Sequence, residues 1–320
     1  LTAGLHSLSH DEIEYWIDHV QAGNVYVNRG ITGAIVRRQP FGGWKLSSVG
    51  ATAKAGGPNY LYSFGTFVPE EPLDDSATGA ITPHDGKIAD KALHISKPQL
   101  ADLVTVAQGL LEGRDLAKVQ EASYNADRAA AEEFDRLQDP SGLAAERNVL
   151  RYIPTDSIIR AEGDWELSDL LSIAAAAVAT GTYQDIKGLQ GLTRVAPGQN
   201  DLKANKDVQI VLSLDKAVPP AVVEWATTYG LNVVVESRGE YLERLSTDDL
   251  GKEIRTRTIG VGRKEIQRDL DGSVNVAIWD GPVTVAARVE ALPFLREQAA
   301  SIITHRFGNP TQVTRGILED

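Results

Sequence analysis

Short apolar runs recurring between amphipathic stretches constrain this chain more than any other feature. Residues 208–214 read VQIVLSL and residues 232–237 read NVVVES. Neither alternates cleanly enough to leave a wet face, and a strand written that way is covered on both sides, as strands of parallel sheets are. Between them, Pro219 and Pro220 open a helical stretch that Gly230 closes. Residues 164–180 read as a helix with Leu167, Leu170, Leu171, Ala174 and Val178 inward, ended by Gly181. NVLRYI before it, and RTIGV and VNVAIW further on, supply more short strands. Strands spaced by helices of this length build βαβ units, whose crossovers require parallel pairing. The expected fold class is therefore α/β, with a Rossmann-like, mostly parallel sheet and flanking helices over residues 148–320. The stretch from Ala291 to Phe307 reads as a helix that turns extended at SIITHRF.

The front of the chain is organised differently. Ile13, Trp16, Ile17 and Val20 recur at helical spacing over residues 11–22, with Gly23 as a stop. NVYVNR, residues 24–29, alternates as a strand does. The aromatic NYLYSFGTFV, residues 59–68, suits an extended strand or flap. Residues 69–93 mix Pro69, Pro72 and Pro83 with Glu70, Glu71, Asp74 and Asp75, which is linker composition. Residues 94–147 then form a helical segment. Ser96, Pro98 and Gln99 mark a helix start, and Gly113 separates a second helix whose charged, Ala-rich stretch 117–138 reads as a solvated face. The expected organisation is thus 1–68, a 69–93 linker, 94–147 and 148–320.

Composition excludes several functions. The net charge of −12 argues against a nucleic-acid partner, since phosphate binding needs clustered Lys and Arg. No cysteine is present, so disulfides, thiolate metal sites and a thiol nucleophile are excluded. No apolar run reaches the roughly 18 residues of a membrane span. No signal peptide is visible, and a cytoplasmic location is expected. Methionine is also absent, even at residue 1, so the chain reads as a piece of a longer polypeptide.

The stretch RRQPFGGWKLSSVG, residues 37–50, carries the most chemistry. Gly42 and Gly43 permit positive φ or close approach of a ligand. Phe41 adds a flat apolar face. Gly33-Ala34 offers a second small-residue turn whose N–H groups suit a carboxylate, with Arg37 and Arg38 nearby. Two glycine turns merely joining strands would share this spacing. Elsewhere, Gly260-Val261-Gly262 follows a strand, but Glu265 stands where a dinucleotide fingerprint wants its third glycine, so a tight turn is expected. Gly188, Gly191 and Gly198 fit no phosphate loop. His6 and His10, four apart, lack a clear third ligand and read as surface histidines. His305 suits a packing or interface role. Ser47-Ser48 is not a nucleophile elbow.

AGNVYVNRGITGAIVRRQPFGGWKLSSVGATAKAGGPNYL closely resembles the end of an aldehyde dehydrogenase catalytic domain. Its wording is similar to the L-glutamate γ-semialdehyde (Δ1-pyrroline-5-carboxylate) dehydrogenase module of bifunctional proline utilization A enzymes. LREQAASIITHRFGN resembles their C-terminal extension, a degenerate nucleotide-binding fold. The resemblance implies that Gly33 and Ala34 anchor the substrate carboxylate, that Phe41 lines the aldehyde pocket, and that residues 59–68 serve oligomerisation. It implies NAD as the parent enzyme's cofactor, with none expected for this chain alone. The implied partners are the rest of the dehydrogenase, a proline dehydrogenase module and further copies of the chain. The family's cysteine nucleophile and general base have no counterpart here, so the chain alone is expected to be inactive. The alternative is a non-catalytic nucleotide-binding or oligomerisation module. Without the sheet they normally extend, residues 1–68 are expected to be disordered, to repack on the second domain, or to exchange between protomers.

Overall fold

The computed structural model describes residues 1–68, 94–180, 208–246 and 254–319. The 69–93 linker, Gly181 and the glycines at 188, 191 and 198 lie outside them. Two main sheets and a small two-stranded hairpin organise the described residues. The larger contains β4 (Ser157–Ala161), β5 (Ile210–Leu214), β6 (Leu231–Val235), β7 (Ile254–Ile259) and β8 (Val276–Trp279), in the order β6-β5-β4-β7-β8. All its pairings are parallel. This is the α/β fold expected. Side chains alternate across it as the pleat requires. Ile159, Ala161, Leu212 and Leu214 face a layer of α4 (Leu167–Ala179), α5 (Pro220–Thr228), α2 (Pro98–Gln108) and α3 (Gly113–Ala129). Ile158, Val211, Val276 and Ile278 face α6 (Arg238–Leu245) and α7 (Arg263–Asp269).

The helical layer corrects one expectation. Far from presenting only a solvated face, α3 buries Val119, Ala122, Ala126 and Ala129, because small residues let it lie close on α4. Asp127 of α3 also holds the residues just before α2, accepting from the N–H groups of Ser96 at 3.0 Å and Lys97 at 2.9 Å. The segment leading into α2 is thus anchored by a carboxylate 30 residues away in sequence, and no side chain, Ser96 included, caps the helix itself.

The second sheet has the order β1-β2-β9-β3, from β1 (Thr2–Leu5), β2 (Asn24–Val27), β9 (Leu295–Ile303) and β3 (Glu146–Pro154). β2 pairs parallel with both β1 and β9, and β3 runs antiparallel to β9. Of the outcomes expected for residues 1–68, the structure has pairing with the C-terminal part of the same chain. Two readings are corrected here. Residues 295–303 are a strand, preceded only by the short α8 (Ala287–Glu290) and a turn at Leu292–Phe294. Residues 60–64 form a 3-10 turn and not a strand or flap. The helix at the front, α1 (His10–His19), starts at Ser9, whose side chain accepts from the Glu12 N–H, and lays Ile13 and Ile17 on Val27 and Ile302.

Between the sheets runs a hinge built on β7. Arg255 donates to the carbonyls of Pro293 at 2.8 Å, Leu292 at 2.8 Å and Leu295 at 3.1 Å, with its guanidinium 4.5 Å from the Trp279 ring centre. Arg257 pairs with Glu290 at 2.9 and 3.2 Å. Two arginines of one sheet therefore hold the segment that delivers β9 to the other.

Candidate functional site

The alternation of β2 sets the site. Val25 and Val27 face α1, so Asn24 and Tyr26 face the opposite way, under the 35–43 loop. Asn24 is fully buried. Its Nδ2 donates to the Pro40 carbonyl at 3.0 Å, and its Oδ1 accepts from the Gly42 N–H at 3.1 Å. Gln39 points into the same layer, donating through Nε2 to Asn148 at 2.6 Å and Ser301 at 3.0 Å and accepting from the Ile35 N–H at 2.9 Å. The facing pair Asn148 and Ser301 comes from β3 and β9. Arg38 is ion-paired with Glu146 at 3.3 Å, while Arg37 is exposed with φ 65°.

The glycine pair has a packing cause. Neither Gly42 nor Gly43 has positive φ. A Cβ on Gly43 would lie 2.0 Å from Ser47 Oγ and 2.7 Å from its Cβ, and one on Gly42 would lie 3.3 Å from the Lys54 Cα. Gly23 belongs to the same contact, since its Cβ would meet the Gly42 carbonyl at 2.0 Å. The loop thus presses directly on the turn before β2.

The expected site residues sit on the loop's outer side. Gly33 has φ 80° and open space where a Cβ would be, and Ala34 beside it is exposed. Phe41 is 38% exposed. Its backbone forms a two-bond bridge with Ala55, 2.9 and 2.8 Å long. Behind it lies a buried polar cluster that sequence reasoning missed. Lys54 Nζ donates to the Gly42 carbonyl at 2.5 Å and to Asn24 Oδ1 at 2.9 Å. Glu297 of β9 accepts from the Lys54 N–H at 3.0 Å and from Asn59 at 2.9 Å, and Asn59 also donates to the Tyr152 hydroxyl at 2.9 Å. Burial pushes the Lys54 ammonium down to about 7, against the opposing pull of Glu297. Burial pushes Glu297 and the Tyr152 hydroxyl up. Only the partner distances in sequence hid this cluster, since a lone Lys reads as surface.

A cavity of about 540 Å³ opens beside the cluster, lined by Trp44, Lys54, Arg255, Trp279, Arg296 and Glu297 among others. Gly33, Ala34 and Phe41 do not line it.

The parallel sheet's crevice does not fit a dinucleotide. Its first strand ends in Glu162-Gly163-Asp164, where a pyrophosphate would need unencumbered N–H groups. The Gly163 N–H is held by Asp215 at 2.7 Å, and Glu162 takes Arg160 at 2.9 Å and Arg238 at 3.0 Å. Gly260 makes a tight turn, because a Cβ there would strike the Glu162 carbonyl at 2.0 Å. The N–H at the start of α7 donates to Asp280 at 2.8 Å. His10 is the first residue of α1 and bonds the Val313 carbonyl at 3.1 Å, while His6 lies before the helix. His305 sits in a two-residue strand of a small hairpin. Ser47 and Ser48 donate to local carbonyls. Among the described residues, no three His, Cys, Asp or Glu side chains gather as a metal site.

A loop of this sequence, held on a strand that ends at Val27 and is followed by Asn28, has known counterparts. Residues 1–66 match the aldehyde dehydrogenase family. The chain is 34% identical over 192 residues to the bifunctional protein PutA of Rhizobium meliloti, covering 60% of this chain and 14% of that protein. It is 51% identical over 61 residues to the 1-pyrroline-5-carboxylate dehydrogenase of Bacillus thuringiensis (strain Al Hakam), covering 19% of this chain and 12% of that one. Among solved structures it is similar to proline utilization A (PutA) from Corynebacterium freiburgense, with a TM-score of 0.61 and 29% identity, over 97% of this chain and 23% of that one. The likeness to PutA therefore runs through both sheets. The chain spans less than a quarter of each of these relatives.

Proposed function

We propose that this chain supplies the substrate-anchoring loop of an NAD-dependent L-glutamate γ-semialdehyde (Δ1-pyrroline-5-carboxylate) dehydrogenase in proline catabolism. One observation carries the reading: the 33–43 loop is fixed from behind by Asn24, Gln39 and Lys54 and open in front at Gly33, Ala34 and Phe41. Open backbone N–H groups at Gly33 and Ala34 suit the substrate carboxylate, and the Phe41 ring excludes water beside the aldehyde. With no cysteine in the chain, the nucleophile that forms the thiohemiacetal comes, in this reading, from other polypeptide, and the general base is assigned there with it. Residues of that polypeptide would hold NAD, which would supply the hydride acceptor. The residues at the carboxyl ends of β4, β5 and β7 do not suit it.

The C-terminal part acts in this reading as a lid or assembly domain, working in the cytoplasm beside a proline dehydrogenase module. Leu61, Phe64, Phe67 and Val68 are all exposed within one short segment, which supports a contact between copies. No helix among the described residues is long and apolar enough to cross a membrane.

The test is NADH formation from the semialdehyde. The chain alone is expected to give no absorbance change. Turnover above blank would overturn the proposal. Combined with the polypeptide carrying the cysteine, Phe41→Ala is expected to raise KM several-fold. Calorimetry of the chain with NAD is expected to be silent, and saturable binding would favour a nucleotide-sensing module.

A further inference from the structure

We infer that Lys54 is a positioning residue for the substrate loop, its buried amino group setting the seat of the Phe41 ring and the β9 carboxylate Glu297 holding the Lys54 backbone N–H, and so the residue, in register. The inference rests on the reading of the loop given above.

The bonds around Phe41 account for the backbone on both sides of it. Asn24 takes the Pro40 carbonyl and the Gly42 N–H. Lys54 takes the Gly42 carbonyl. Phe41's own N–H and carbonyl are taken by Ala55, the residue after Lys54. The ring is therefore carried by a short stretch of chain whose polar atoms are tied either to β2 or to residues 54–55. Lys54 belongs to both sets of ties, because its Nζ also reaches Asn24 Oδ1.

Glu297 then fixes Lys54 from the other end of the chain. One carboxylate oxygen accepts the Lys54 N–H and the other accepts Asn59, while the Glu297 carbonyl accepts Trp44 Nε1 at 2.9 Å. Residues 44, 54 and 59 all follow the loop in sequence, and a single residue of β9 holds all three. β9 in turn pairs with β2 beneath the loop, so the carboxylate and Asn24 share one rigid sheet.

The choice of lysine is costly and so informative. Lys54 is 3% exposed. Burying a charge is tolerated only where partners compensate for lost hydration. An apolar side chain of the same length would fill the space but leave the Gly42 carbonyl without a donor and Asn24 Oδ1 with the Gly42 N–H alone, which is the expensive case. Charged and titratable groups near this cluster are Glu297 on β9, Tyr152 on β3, Glu133 after α3 and Arg255 on β7.

The test has two arms. In the first, amide hydrogen exchange is followed in the chain itself. Lys54→Met is expected to speed exchange at residues 41, 42 and 55 by about tenfold, the fold-change of one lost hydrogen bond, with β4 to β8 unchanged. Unchanged protection at 41–55 would overturn the inference. If Lys54→Met exchanges faster everywhere, Glu297→Gln decides. It removes the charge and keeps the shape, and is expected to speed exchange at 41–55 alone; equal protection there would overturn the inference as well. In the second arm, the dehydrogenase is completed with the polypeptide bearing its cysteine. Lys54→Met is expected to raise KM for the semialdehyde about tenfold and to leave kcat within about twofold, as loss of binding geometry does. If Phe41→Ala leaves KM unchanged in that enzyme, the substrate-loop reading fails. If Phe41→Ala raises KM and Lys54→Met does not, the positioning role fails.

Discussion

Replacing Arg257 by methionine should loosen the hinge that carries β9 into the second sheet. Arg257 and Glu290 are each 3% exposed. The guanidinium makes two bonds to the carboxylate, at 2.9 and 3.2 Å, and donates to the carbonyls of Thr258 at 2.9 Å and Trp279 at 3.3 Å. Methionine fills much of the volume and supplies none of these bonds. Among the described residues, Glu290 would then be a buried carboxylate held by the Thr284 N–H, at 2.8 Å. Breaking a buried pair from one side costs about 3–5 kcal/mol, because the remaining charge is uncompensated. At roughly 2 °C per kcal/mol for a chain of this size, thermal unfolding should begin about 6–10 °C lower. Circular dichroism at 222 nm reads that shift. The double variant Arg257→Met with Glu290→Met removes both charges and should recover at least half of the loss, since an apolar pair of similar volume avoids the desolvation cost. A single variant melting within a degree of wild type would refute the argument. So would a double variant as unstable as the sum of its singles.

Other expectations follow from the same geometry. Gly23→Ala places a methyl 2.0 Å from the Gly42 carbonyl, so the loop must shift; we expect a loss of about 1–3 kcal/mol in urea unfolding, and wild-type stability would contradict the packing cause given for the glycines. Asp127→Ala removes the carboxylate that accepts from the Ser96 N–H and hydroxyl and the Lys97 N–H and should cost about 1–3 kcal/mol by the same assay, and unchanged stability would refute that anchoring role. Lys54 sets a pH dependence. Its folded value is pushed down to about 7 from 10.5, so above pH 7 the folded chain holds fewer protons than the unfolded chain and stability rises with pH. Glu297, pushed up, works the other way in the window just above the ordinary carboxylate range, where the folded chain holds the extra proton. Wild type should therefore gain on Lys54→Met between pH 7 and pH 9 in denaturant midpoint, and a constant gap would refute the assignment.

Much of the fold was legible because burial writes itself into local sequence. The uninterrupted run at 208–214 reads as a strand covered on both faces, and β5 is one; the run at 232–237 reads the same way but lies on the sheet's edge strand β6, where Asn232 and Val235 are exposed. LREQAASII misled for the opposite reason. Leu, Arg, Glu, Gln and Ala are good helix formers, yet residues 295–303 lie as a strand between β2 and β3, where two neighbours saturate the backbone. Tertiary pairing outweighed local preference. The Ala-rich face of α3 was misjudged similarly, since small residues say nothing of burial until a neighbour such as α4 lies against them.

At the site the division is the same. The sequence alone picked out Gly33, Ala34, Phe41 and the glycine pair, because turns and exposed rings are local signals. It also showed, by holding no cysteine, that no thiol chemistry can start on this chain. Only the folded molecule put Asn24, Lys54 and Glu297 together behind Phe41, since these residues are 30 and 243 positions apart along the chain. A buried lysine and an exposed one are written with the same letter. What distinguishes them is the low-dielectric space around the amino group, and that space exists only once two distant strands have paired.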